Sequence, residues 1–330
     1  MIASYDQDRS SSTIRIAILG ASGFIGRWVA RALGTRSAKL YLVVRNKSVS
    51  EGVFSKYHVH GKILEADLSD SNEVRKLFHE VRPSITFNLS GYGVKPTERD
   101  PETSHRINTH LVSAICEAVA ETRDADWPGQ DIVHVGSALE YGAIGGNLSE
   151  DSAPNPTTDY GRSKLQGTAT LARNCKARGI KGVTARLFTV YGPGEHQGRL
   201  LPSLLDAARA GESLGLTDGV QKRDFTYVED VAEGLLRLGL VTTKPGEIVN
   251  LATGHLMTVR SFAETAAGIM KIPSDRLEFG ALPTRTEEME HATVAIERLR
   301  RLTTWVPSTG IEEGILRTLA FAKVQGVGAN

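Results

Sequence analysis

Tyr160 and Lys164 stand four residues apart in Tyr160-Gly161-Arg162-Ser163-Lys164. On a helix that spacing puts a phenol and an ammonium on one face. A phenol with its ordinary pKa of about 10 is a poor acid–base group near neutrality. A neighbouring cation favours the phenolate and brings it into working range. Ser137 ends the apolar run DIVHVGS (131–137), where its hydroxyl can hold a substrate oxygen while Tyr160 moves the proton. A Tyr/Lys pair alone is common on helix surfaces, so its meaning depends on what accompanies it.

What accompanies it is Gly20-Ala21-Ser22-Gly23-Phe24-Ile25-Gly26, between the apolar run IRIAILG (14–20) and a helical pattern. Three glycines at this spacing permit a tight turn, close approach of backbone to a pyrophosphate, and helix-on-strand packing. The free N–H groups and partial positive charge of the helix N-terminus attract phosphate. The pattern therefore predicts a dinucleotide site, and a nicotinamide ring there would add to the cationic field around Tyr160. The second strand ends Val44-Arg45-Asn46-Lys47, with two cations and no acid. A basic end accommodates the extra phosphate of NADP(H), whereas an acid would bind the ribose hydroxyls of NAD(H). NADP(H) is favoured and NAD(H) remains open, since Arg45 and Lys47 also read as solvated loop charges. Asp67, after the third strand, suits the adenine amino group or an N-cap of the helix behind it. Leu68 beside it, and Leu187 at the end of the sixth strand, are placed around the cofactor.

The elements that must hold these groups alternate. Apolar runs at 14–20, 39–45, 62–68, 84–90, 131–137 and 182–188 are separated by helical patterns at 23–33, 70–81, 102–121 and 160–178. Near-continuous apolar strands alternating with helices predict a parallel, doubly wound α/β sheet covered on both faces. After Tyr191 the rhythm changes: YGPGEHQG is rich in turn formers, and one more strand is expected at EIVNLA (247–252).

Composition excludes several classes. The 39 Lys and Arg nearly cancel the 38 Asp and Glu, giving a net charge of +1. No global field draws in nucleic acid or an anionic membrane. No apolar run is long enough to span a bilayer. The polar start, residues 1–13, predicts a loose tail without a signal peptide. The two cysteines, Cys116 and Cys175, read as buried thiols of a cytoplasmic protein. No metal is expected: His134, Glu195 and His196 have no ligand spacing, and His134 lies within a strand.

The segments GASGFIG, EADLSD, VGSALEYG, YGRSK, RLFTVYGPG and RDFTYVEDVA, with the late Arg285, make this chain resemble the extended short-chain dehydrogenase/reductase family. The likeness is to its nucleotide-sugar epimerases, dehydratases and reductases, and runs from about Ile14 to Ala320. It implies a Rossmann-type dinucleotide domain (14–190 with about 223–252) and a smaller nucleotide-sugar domain (191–222 with about 253–330). It also implies that Ser137, Tyr160 and Lys164 are the catalytic triad. Asn108 would support the lysine through water, and Leu89, Ser90 and Gly91 would pass the cofactor. Arg223 and Arg285 would clamp the diphosphate, a role suited to a guanidinium fork. Lys95, Ala138, Thr189 and Leu200 complete the expected substrate contacts. Thr189 departs from the family's usual Asn after RxF, which puts one diphosphate hydrogen bond in doubt. Family members pair two long helices in a four-helix bundle, so a homodimer is expected from apolar faces on 102–121 and 160–178.

Dehydratases of this family carry an Asp-Glu pair directly after the catalytic Ser or Thr. Here those positions are Ala138 and Leu139, and Glu140 would point the other way if the strand continued. That argues against a dehydratase. Between the remaining reactions, the basic end of the second strand and the segment SALEYG favour an NADPH-dependent reductase of an NDP-4-keto-6-deoxyhexose, in deoxysugar biosynthesis. The alternative is an NDP-hexose 4-epimerase with retained NAD. A non-catalytic dinucleotide sensor is a third reading, disfavoured by the presence of both Tyr160 and Lys164.

Overall fold

Strands with apolar residues on both faces need cover on both, and the alternating helices supply it. A computed structural model describes residues 14–34, 38–93, 98, 100–142, 146–284 and 291–324. The expected tail, Lys95 and Arg285 lie outside them. The first half runs β1 (Arg15–Leu19), α1 (Phe24–Leu33), β2 (Lys39–Val44), α2 (Lys47–Lys56), β3 (Lys62–Glu65), α3 (Ser71–Val81), β4 (Ile85–Asn88), α4 (Pro101–His105) and α5 (Leu111–Thr122). There follow β5 (Ile132–Ser137), β6 (Gly146–Leu148), α6 (Asp159–Arg178), β7 (Gly182–Leu187), β8 (Thr189–Tyr191), α7 (Leu200–Ala210), β9 (Leu214–Leu216) and β10 (Lys222–Tyr227). The chain ends with α8 (Val228–Leu240), β11 (Glu247–Leu251), β12 (Leu256–Thr258), α9 (Val259–Met270), β13 (Leu277–Phe279), β14 (His291–Val294), α10 (Glu297–Thr303) and α11 (Ile311–Val324).

Seven strands form one parallel sheet in the order β11-β7-β5-β4-β1-β2-β3. All seven expected strands are in it. The winding reverses between β1 and β4, which opens a crevice at their carboxyl ends, the usual ligand position in such sheets. Alternate residues feed two cores. Ile16 and Ile18 pack with Trp28, Val29 and Leu235 on the α1/α8 face. Leu19 and Val43 pack with Phe78, Ile115 and Leu171 on the α3/α5/α6 face. The remaining strands make small sheets, β12-β10-β8, β13-β9 and β14-β6. A further core, with Phe225 stacked on Phe262 at 4.2 Å, lies beneath them. Cys116 and Cys175 are free and buried.

Three details differ from the expectation. The helix expected over 102–121 is broken by a π-turn, Arg106–His110, between α4 and α5; such wide turns concentrate at functional sites. The helix α2, which periodicity did not announce, is nucleated by Asn46, whose side chain accepts from the Val49 N–H at 3.0 Å. The apolar faces of α5 and α6 are not exposed. Leu111, Ile115 and Val119 are covered by α3 within the chain, while Glu117, Arg162, Gln166 and Arg173 face outward.

Candidate active site

The glycine loop turns over the carboxyl end of β1. Gly20 adopts φ +74°, in the left-handed region, and a methyl group there would sit 3.0 Å from the Leu89 carbonyl oxygen. Any side chain would therefore push apart the β1 and β4 loops that flank the crevice. At Gly26 a methyl group would collide with the Gly20 carbonyl. The first turn of α1 has no side-chain cap and no acid, so its N–H groups are free for an anion. Opposite, the Ser90 hydroxyl is buried without a hydrogen-bond partner. A narrow cradle with unspent donors fits a dinucleotide pyrophosphate. Ser22, Gly23, Phe24 and Ile25 on one side, and Leu89, Ser90 and Gly91 on the other, would hold it.

Farther along the crevice, Arg45 and Lys47 are exposed at the end of β2. A carboxylate also reaches this place, from the neighbouring strand: Glu65 accepts the Lys47 backbone N–H at 2.7 Å. Asp67 is not the cap of α3; Asp70 is. Asp67 instead accepts the Ser69 N–H at 2.9 Å, and this bond holds its carboxyl below the ordinary range. Leu68, in the turn after β3, and Leu187, at the end of β7, are both buried.

Ser137 and Tyr160 meet at the mouth of this crevice. The first turn of α6 is capped by Thr158, which accepts from the Gly161 N–H at 3.0 Å. This sets the ring of Tyr160 into the cleft, where Ser137 interacts with its phenol. Lys164, one turn on, is 2 % exposed. Its amine is pulled down to about 8 by burial, against which the Glu140 charge acts. The phenol is not acidified in the protein alone. Burial, then the Glu140 charge, push Tyr160 up to about 12, while Ser137 and Arg199 work in the other direction. From the protein groups alone the expected acidification does not appear, and the site holds a protonated phenol.

Asn108 sits in the π-turn with its side chain fully used. It accepts the Tyr92 N–H at 3.1 Å and donates to the Tyr92 carbonyl at 2.8 Å and to the Ser163 hydroxyl at 2.9 Å. Ser163 in turn donates to the Tyr160 carbonyl. Asn108 thus ties the loop after β4 to the turn that carries Tyr160. Its side chain is not spent on Lys164.

Between this edge and the small sheets lies a cleft of about 660 Å³, lined by Ser137, Ala138, Tyr160, Leu187, Thr189, Leu200 and Arg223. All the described substrate candidates therefore share one space. Several lining residues were not foreseen. Gly93, at φ +102°, lies against the Tyr160 ring, where a methyl group would be 2.9 Å from Cδ2. Glu98, which accepts the Gly93 N–H, and Arg199 both bear on the Tyr160 charge. Glu195 is the least expected: its side chain is 6 % exposed, it pairs with Arg199 at 3.2 Å, and burial pushes its carboxyl up to about 7. Only the cluster of turn formers at 191–198 signalled that this segment folds inward. His134 is buried in β5 with Nδ1 3.1 Å from the Asn88 amide. Among the described residues no group of three or more His, Cys, Asp and Glu is gathered to hold a metal.

Glu140 corrects a further expectation. The strand stops at Ser137, and Ala138–Glu140 form a 3₁₀ turn. The side chain folds back beneath β5 and pairs with Arg186 at 2.9 Å. It does not continue the alternation of the strand.

Residues 16–252 match the family described as NAD dependent epimerase/dehydratase. Among curated relatives, the chain is 28% identical over 313 residues to a dTDP-6-deoxy-L-talose 4-dehydrogenase (NAD(P)(+)) of Kitasatospora kifunensis, covering 91% of this chain and 93% of the relative. It is 26% identical to a UDP-glucose 4-epimerase of Mycolicibacterium smegmatis, covering 93% and 98%. Among solved structures, the UDP-glucuronic acid 4-epimerase of Bacillus cereus with UDP-glucuronic acid and NAD superposes with a TM-score of 0.82 at 22% identity, covering 94% of this chain and 99% of that one. With a Rossmann-type parallel sheet, a glycine cradle at its switch point and a family match over most of its length, the chain belongs to the NAD dependent epimerase/dehydratase family of extended short-chain dehydrogenases/reductases.

Proposed function

We propose that this enzyme reduces the C4 ketone of a nucleoside-diphosphate 4-keto-6-deoxyhexose with NADPH. The observation that carries the reading is the Ser137–Tyr160 pair, set in a cleft where the two positions after the serine carry no acid. A dehydratase needs extra acid–base groups there. Glu140, the nearest acid in sequence, is sealed against Arg186 with 0 % of its side chain exposed. The protonated phenol suits the reductive direction, because ketone reduction begins with a proton donor. The relative from Kitasatospora, named for C4 dehydrogenation of a dTDP-6-deoxyhexose with NAD or NADP, supports the same carbon and the same kind of sugar.

When bound, the nicotinamide supplies a hydride to the sugar carbon. Ser137 holds the ketone oxygen, and Tyr160 gives that oxygen its phenolic proton, so hydride and proton together complete a hydroxyl. Tyr160 is left as a phenolate and regains a proton from solvent at the cleft mouth. The ammonium form of Lys164, favoured by Glu140, stabilises that phenolate. Arg199 acts in the same sense from the cleft side. Arg223 and Arg285 are proposed for the diphosphate, and Lys95 for the substrate loop. Arg45 and Lys47 are proposed for the extra phosphate of NADP(H).

A second reading rests on Glu65. Its carboxylate at the end of β2 is the kind of group that binds ribose hydroxyls, and it would favour retained NAD and 4-epimerisation. Purified protein mixed with an NDP-4-keto-6-deoxyhexose and NADPH tests the two. Loss of nicotinamide absorbance supports the reductase. No loss, with interconversion of gluco and galacto nucleotides and NAD released on denaturation, supports the epimerase.

The reading includes the expected homodimer, now through the polar outer faces of α5 and α6, and a reducing cytoplasm suited to two buried thiols. Among the described residues no helix is long and apolar enough to cross a membrane.

A further inference from the structure

The buried pair Glu140–Arg186 lies directly behind the reacting groups, and nothing in the reaction as derived above uses it as a unit. Its side chains are 0 % and 1 % exposed. Taking two charges out of water is costly, and a buried pair is weak evidence of stability. Its construction points elsewhere. One carboxylate oxygen of Glu140 accepts the Ser137 backbone N–H at 2.8 Å, and the other accepts Arg186 Nε at 2.9 Å. The Ser137 hydroxyl accepts the Leu139 N–H at 3.2 Å, closing a capping box around the 3₁₀ turn. Room for the carboxylate comes from Gly136, where a methyl group would lie 2.5 Å from Glu140 Oε1. On the far side, the Arg186 guanidinium lies 4.5 Å over the Tyr141 ring, and Tyr141 is anchored to Asn250 at 2.7 Å.

We propose that Glu140 is a positioning residue: it bends the end of β5 so that the Ser137 hydroxyl faces the cleft, and it places one fixed negative charge behind Lys164. Gly136 is glycine to leave space for it. The proposal rests on Tyr160 and Lys164 being the reacting pair. Glu140, Arg199 and Glu98 act on Tyr160. Glu140 acts on Lys164, and the neutral, buried His134 faces it. Arg186 and Tyr141 face Glu140 from behind. The negative end of the pair bears on the site, while its positive end lies over the Tyr141 ring.

The test follows the titration of Lys164 by nuclear magnetic resonance of protein labelled at the lysine side chains, with the signal assigned by its loss in Lys164→Arg. Glu140→Gln keeps an acceptor for the Ser137 N–H and removes the charge. The Lys164 midpoint should fall from about 8 by roughly one unit. Orphaning Arg186 will weaken the fold, so Glu140→Gln/Arg186→Met is measured beside it; removing both charges avoids an unpaired buried cation, and the midpoint should fall there too. A midpoint within a few tenths of the parent value in a folded variant overturns the proposal. The outcome is separable from the reading it rests on. If Tyr160→Phe keeps full activity, the catalytic assignment fails. If Tyr160→Phe is inactive while the Lys164 midpoint stays fixed in Glu140→Gln, only the role given to Glu140 fails.

Discussion

At the residue scale, the site is a set of side chains whose charge is decided by burial before it is decided by neighbours. Tyr160 shows the balance: burial and Glu140 keep its proton on, while Ser137 and Arg199 loosen it. Removing the hydroxyl in Tyr160→Phe should lower the steady-state rate by about 100- to 10,000-fold while thermal unfolding stays near the parent value; a dinucleotide sensor would keep its function. Glu195 makes a second test, on stability. Its carboxyl stands at about 7 in the folded chain, against an ordinary 4.5. The folded state therefore binds the proton more tightly than the unfolded state. Its contribution is favourable below about 4.5 and is lost as pH rises through about 7. Glu195→Gln should remove that loss, and denaturant melts at pH 8 should show the variant more stable by roughly 1–3 kcal/mol. No gain, or a gain confined to acid pH, would contradict the burial argument. The raised carboxyl of Glu195 could not be read from the sequence. Glu195 there is one acid in a turn-rich segment, and what raises its pKa is a neighbourhood assembled by the fold.

At the scale of elements, legibility follows how local the cause is. The seven strands, the glycine loop, and the helix that carries Tyr160 and Lys164 were all readable, because each is specified by a short periodic pattern. Glu140 was not. Its direction depended on whether β5 continues past Ser137, and the capping box that ends the strand forms only with the side chain folded back. Asn108 was legible as a support for Lys164 but not as a tie to the loop after β4, since a π-turn leaves no periodic signature and that side-chain bond forms only in the fold. Gly93 belongs with these: its φ of +102° and its contact with the Tyr160 ring exist only once loop and helix meet. Gly93→Ala should displace that ring. We expect kcat to fall at least tenfold, by analogy with the cost of misplacing a reacting group, with little change in dinucleotide affinity measured by fluorescence titration. An unchanged kcat would show that the loop does not position the ring.

At the scale of the whole molecule, the dinucleotide half and the cleft loop are joined by few but direct bonds. Trp28 Nε1 on α1 donates to the Pro193 carbonyl at 2.9 Å, and Arg27 donates to the Gly194 carbonyl at 2.7 Å. Phe321 from α11 packs on Trp28 with ring centroids 5.6 Å apart. The helix that would receive the pyrophosphate thus also holds the loop bearing Glu195 and Arg199. Trp28→Phe, which keeps most of the packing and loses the donor, should raise KM for the sugar nucleotide about threefold to tenfold, the range of one lost neutral hydrogen bond, with a smaller effect on the dinucleotide. Equal effects on both would count against this coupling. Assembly is a separate matter at this scale. The sequence suggested apolar outer faces on α5 and α6, but the chain covers those residues itself. Light scattering that gives twice the mass of one chain would support pairing through the polar faces, and a monomer would exclude it.

The most direct test of the account is a single absorbance trace. Parent protein and Tyr160→Phe are mixed, side by side, with NADPH and an NDP-4-keto-6-deoxyhexose. The account predicts steady loss of nicotinamide absorbance with the parent, and a rate at least about 100-fold lower with the variant. Equal rates in the two proteins, or no oxidation of NADPH by the parent, would contradict it.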